Sequence, residues 1–159
     1  MSHKEMDLRQ AMLFAARQTF ENMAFVEVRE QAAELSAQSP QDPVWACILI
    51  NDPLQGEIRL TLPRELLIEL AANMFGLETE EVTKGHQQDI IAEILNTLAG
   101  LFMTNLLPDD QAYKLGLPEH GTGESPPTEE DSVVWNLQVE QHPLILVAVG
   151  FSLLHKTQH

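Results

Sequence analysis

The chain has 159 residues, 44% of them hydrophobic, and a formal net charge of −15. That length suits a single domain over residues 1–159 with apolar side chains enough for one core. So acidic a surface repels phosphate backbones and anionic headgroups, which argues against nucleic-acid and membrane partners.

The opening MSHKEMDLRQ has no apolar run of the kind a secretory leader needs. The longest apolar stretch, around 144–149, is too short to cross a bilayer. One cysteine, Cys47, allows no intrachain disulfide. Together these features lead us to expect a cytoplasmic protein.

Residues 4–24 are predicted to be helical, because Leu8, Met12, Ala15, Thr19 and Met23 recur at helical spacing with no Gly or Pro between them. From Val26 the pattern alternates, Val26 and Val28 against Glu27 and Arg29, as a strand does. Gln38 to Pro43 is a polar turn with two prolines. VWACILI, Val44 to Ile50, is apolar on both faces, which suits a central strand and puts Trp45 and Cys47 in the core. Asn51-Asp52-Pro53 ends it. Glu57 to Leu62 then alternates again, so the two runs form a hairpin.

Pro63 is expected to open a second helix at its first position, where the missing N–H costs nothing. Glu65 suits the positive end of that helix. Leu66, Leu67, Leu70, Met74 and Phe75 form its apolar face, and Gly76 stops it. A short helical turn is expected after Thr79, then a long helix from about Gln88 to Leu107, ended by Pro108. Ser132 to Val139 alternates as a strand, with Trp135 on its apolar face, and Leu144 to Leu153 reads as another. The acidic segment 118–131, between the long helix and these strands, has no Lys or Arg and reads as a mobile surface loop. This order predicts an α+β domain with long helices packed on a mostly antiparallel sheet.

The long helix has an unusual polar face. At about 100° per residue, Asp89, Glu93, Asn96, Thr97, Gly100 and Thr104 fall in one narrow stripe, opposite Ile91, Leu95, Leu98 and Phe102. An ordinary solvated face carries several Lys and Glu, whereas this one has Asp, Glu and Asn, then Thr and Gly. Gly100 costs roughly 1 kcal/mol against Ala inside a helix. Asn96 is also a poor mid-helix residue. Such violations mark a surface on which function overrides propensity, with Gly100 leaving the backbone open to another molecule.

Other chemistries lack their residues. The six histidines (3, 86, 120, 142, 155 and 159) have no metal-ligand spacing with one another or with Cys47, so no metal is expected. No Gly-rich phosphate loop and no Ser or Cys nucleophile elbow is present.

DIIAEILNTLAG, Asp89 to Gly100, resembles the motif helix of the CheX/CheC family of chemotaxis phosphatases, with its acidic residue, Glu and Asn at matching intervals and a Gly four residues after the Asn. The run ELLIELAANMFGLETEE before it is similar to the family's second helix, and LGLPEH, Leu115 to His120, to the strand and proline after the motif. The resemblance implies a CheC-like fold and a phosphatase acting on the aspartyl phosphate of a CheY-like response regulator. It makes Glu93 and Asn96 catalytic: Glu93 pairs with the regulator's lysine and Asn96 orients the attacking water. Asp89, Thr97, Gly100 and Pro118 are then partner-binding. No cofactor is implied in this chain, since Mg²⁺ belongs to the regulator. A single motif suggests a CheX-like form, and with it a homodimer. The resemblance leaves one alternative, a non-catalytic adaptor or dimerisation module that binds a regulator or flagellar switch.

Overall fold

The computed structural model describes residues 7–31, 39–52, 54–108, 111–126 and 131–155. Residues 4–6 of the first predicted helix, Gln38, Pro53 and residues 127–130 of the acidic loop lie outside them, as do His3 and His159.

Helix α1 (Leu8–Ala24) starts where Asp7 caps it, its carboxylate accepting from the Gln10 amide at 2.8 Å. A left-handed Phe25 (φ 60°) turns the chain into the short strand β1 (Val28–Glu30). Strands β2 (Pro43–Asp52) and β3 (Gly56–Pro63) form the expected hairpin, in register from Pro43 opposite Pro63 to Ile50 opposite Gly56.

Helix α2 (Arg64–Phe75) follows directly. Pro63 is not its first residue but its N-cap, in extended conformation, because it still ends β3. Gly76 closes α2 in the left-handed region (φ 68°) with its amide on Ala72 O, as the sequence indicated. The turn after Thr79 is a 3₁₀ helix over Thr79–Glu81.

Helix α3 (Lys84–Leu106) begins a turn earlier than its apolar pattern shows. Thr83 Oγ1 accepts from the His86 amide at 3.1 Å, and the Thr83 amide donates to His86 Nδ1 at 3.0 Å. That reciprocal cap satisfies orphan N–H groups and carries the helix past Gly85.

Strands β4 (Lys114–Leu115) and β5 (Glu119–Thr122) lie on the free edge of β2. Strands β6 (Ser132–Val139) and β7 (His142–Val149) form a second hairpin that joins β3 through β7. The result is a seven-stranded sheet, ordered β1-β6-β7-β3-β2 with β4 and β5 beyond, antiparallel at every pairing.

The last apolar run is not one strand to Leu153. It breaks at Gly150 (φ 117°) and ends in one helical turn, α4 (Phe151–Leu154). A Cβ on Gly150 would sit 2.9 Å from Gly56 Cα, so the break needs glycine twice over, for its dihedral and for its closeness to β3.

The core forms on one face of the sheet. Ala46, Ile48 and Ile50, Ile58, Leu60 and Leu62, Trp135 and Leu137, and Leu144 and Leu146 are buried there against α1, α2 and α3. The opposite face of β2 is not packed as a central strand would be. Trp45 and Cys47 are half-buried and Leu49 is exposed, because the three long helices all cover the other side. On that open face Arg59 pairs with Glu57, and its guanidinium also donates to the carbonyl of Pro126. The acidic segment is thus drawn over the sheet at Pro126.

Candidate functional site

Helix α3 fixes the site by what it buries. Ile90, Ile91, Ile94, Leu95, Leu98, Ala99, Phe102, Met103 and Leu106 face the core, and each large one contributes roughly 1.5–3 kcal/mol by burial. Asn105 joins them, 7% exposed, and its Nδ2 donates to Ala11 O at 3.3 Å, tying α3 to α1. That polar anchor lies on the apolar side of the wheel, where the sequence stripe does not show it.

On the other side, Asp89, Glu93 and Asn96 are all exposed. Residues three and four apart on a helix are surface neighbours, so the three carboxylate and amide groups share one patch. Among the described residues none of their side chains has a hydrogen bond or ion pair. Two acceptors and an amide are therefore held on a rigid, well-packed rod and left open to solvent. An amide both donates and accepts, whereas an ionised carboxylate only accepts. The patch can meet a cation and a water side by side.

Thr97 is half-buried on one flank and Thr104 exposed one turn beyond Gly100. Gly100 is half-buried, and the group that comes close to it is the chain's own Tyr113. Tyr113 Oη donates to Gly100 O at 3.1 Å and lies 3.3 Å from Thr104 Oγ1. A Cβ on Gly100 would meet that hydroxyl at 3.5 Å, an ordinary contact. Tyr113 was not singled out in the sequence, because nothing in its spacing ties it to α3.

Pro118 is half-buried just before β5. Tyr113 touches α3 at Gly100, while His120, Gly121 and Thr122 share a cleft with Lys84, Gln87, Gln88 and Ile91. Pro118 lies in the chain between those two contacts with α3. Leu117, next to it, is 90% exposed.

The family described as chemotaxis phosphatase CheX matches residues 44–137. Among solved structures, the chemotaxis protein CheX of Vibrio vulnificus aligns with a TM-score of 0.72 at 16% identity, over 93% of this chain and 99% of that one. A CheX–CheY–BeF3–Mg²⁺ complex from Borrelia burgdorferi aligns at 0.67 and 16%, over 90% and 97%. FliY of Thermotoga maritima aligns at 0.62 and 16%, over 92% and 87%. At these identities the likeness shows a shared CheC-like fold. No curated protein matches the chain.

Proposed function

The chain belongs to the CheX family of chemotaxis phosphatases, and from that premise we propose that it hydrolyses the aspartyl phosphate of a CheY-like response regulator. The observation that carries this reading is the exposure of Asp89, Glu93 and Asn96 on one patch of a buried, capped helix, with their side chains unpartnered among the described residues.

The chemistry asks little of the chain. An acyl phosphate is already activated. Water attacks phosphorus, the new P–O bond forms, the bond to the regulator's carboxyl oxygen breaks, and its electron pair leaves with the carboxylate. Most of the catalysis is positioning. Asn96 holds the water through its amide oxygen and N–H₂, taking no charge. Glu93 pairs with a lysine of the regulator and sets the register. Asp89 sits one turn before Glu93 and meets the partner's surface, with Thr97, Gly100 and Pro118 along the same contact. Mg²⁺ bound in the regulator supplies charge neutralisation at the phosphate, and this chain needs no cofactor of its own.

The partner named for the Borrelia relative, CheY, supports a regulator of that class. The likeness to FliY supports a second reading, an adaptor of the same fold that binds without catalysis. Asn96 separates the two, since docking alone has no use for a water-positioning amide. A homodimer in the cytoplasm is part of the proposal.

The test is phosphate release from a phosphorylated regulator. Wild-type chain should accelerate it. Asn96→Ala should lose about 100-fold or more of the acceleration with binding retained, since a misplaced reactant alone costs on the order of 10²-fold. Glu93→Ala should raise KM as well as lower kcat. Asn96→Ala at wild-type rates would remove Asn96 from the chemistry, and a wild-type chain that binds the regulator without accelerating release would leave the adaptor reading instead.

A further inference from the structure

The tight turn between β6 and β7 brings His142 against α2, on the side that carries Glu65 and Glu69. Glu69 Oε2 lies 3.1 Å from His142 Nε2. One ligand atom from each of Glu65, Glu69 and His142 falls within 4.8 Å of the other two. We propose that these three side chains form a mononuclear site for a divalent transition-metal ion of the zinc or manganese class. Nothing in this rests on the phosphatase reading; the residues lie on α2 and β7, not on the α3 patch.

Several observations converge on a cation here. Zinc–nitrogen and zinc–oxygen bonds of about 2.0–2.2 Å put neighbouring ligands of a tetrahedral ion roughly 3.3 Å apart. Glu69 and His142, hydrogen-bonded to each other at 3.1 Å, are close to that separation, and an ion would replace the shared proton between them. Glu65 is exposed, so its long side chain can swing in by changing rotamer. Glu65 and Glu69 are four apart on one helix, where two like charges repel. Glu80 lines a cleft together with Glu65 and Glu69 and adds to the negative field. Arg64, the basic group of that cleft, is already paired with Asp42 at 3.0 Å. An imidazole in the set favours transition metals over Mg²⁺ or Ca²⁺, which prefer all-oxygen ligands. His142 is 18% exposed at its side chain and Glu69 40%, so water can fill the remaining positions. The site joins a helix to a hairpin far away in the chain, which is why residue spacing gives no sign of it. A bound ion would pin α2 to the β6–β7 turn.

The experiment uses the full chain, stripped with chelator, titrated calorimetrically and melted with ZnCl₂, MnCl₂ or MgCl₂. One equivalent of Zn²⁺ should bind saturably and raise Tm, with Mg²⁺ inert at the same concentration. His142→Gln and Glu69→Gln should each weaken Zn²⁺ by about tenfold or more, while His155→Gln should leave it unchanged. If either variant melts early without metal, Glu65→Gln carries the same test, because Glu65 has no side-chain bond among the described residues to lose. Zn²⁺ uptake without a saturable phase, or uptake insensitive to the Glu and His142 variants, overturns the site.

Discussion

Cys47 faces the open side of the sheet, with Glu57 and Glu119 beside it. Desolvation first, then those two carboxylates, push its thiol up to about 11, with Arg59 opposing. In the unfolded chain it ionises nearer the ordinary thiol value of 9.0. Only the thiolate reacts, so the raised value leaves roughly 100-fold less reactive sulfur at pH 8 in the folded state. Iodoacetamide should therefore alkylate Cys47 far more slowly in native than in denatured protein, and the native rate should climb steeply towards pH 11. Equal rates at pH 8 would contradict the environment described. The same residue shows where reading by composition stops. Cys47 and Trp45 look like core in VWACILI, yet apolar side chains outnumber the covered face. Tyr113 makes a second point at this scale. Its hydroxyl reaches Gly100 O and Thr104 on the helix that carries the patch. Tyr113→Phe should cost about 0.5–1.5 kcal/mol in chemical denaturation, and a cost near zero would mean the bond does not form in solution.

Among the elements, α3 decides most. Its buried stripe was legible because a 3.6-residue period survives over six turns, and the same wheel set Asp89, Glu93 and Asn96 on the solvent side. Its start was not legible, since the cap uses His86 where the usual partner is Glu or Gln. Strands β4 and β5 are two and four residues long and owe their existence to the edge of β2, which no local pattern records. The Leu144–Leu153 run is nearly all apolar, and its one break signal is Gly150, where β7 gives way to α4. The Glu65–Glu69–His142 grouping depends on where the β6–β7 hairpin meets α2, a fact of tertiary register alone. Phe102 is fully buried on α3, and Phe102→Ala should cost about 3–5 kcal/mol. Thr83→Ala, which removes the cap, should cost about 1 kcal/mol. Both are read from urea unfolding. If Thr83→Ala were as costly as Phe102→Ala, the helix would depend on its cap and not on its packing.

For the whole molecule, an excess of fifteen negative charges must be carried on one small surface. Self-repulsion opposes compaction and salt screens it. Tm should rise between low and physiological ionic strength, and a flat response would mean the charges lie too far apart to couple. A regulator has to approach this acidic body, and under the proposed function Glu93 and Asn96 are the part of it that would meet the regulator's lysine and the attacking water. Sedimentation equilibrium tests the proposed homodimer, which requires twice the chain mass. The most direct measurement is single-turnover decay of a phosphorylated CheY-like regulator under saturating chain. The account predicts decay faster than the regulator's own with wild type, and decay at the intrinsic rate with Asn96→Ala although the complex still forms. Wild-type chain that binds the regulator and leaves its decay unchanged would contradict it.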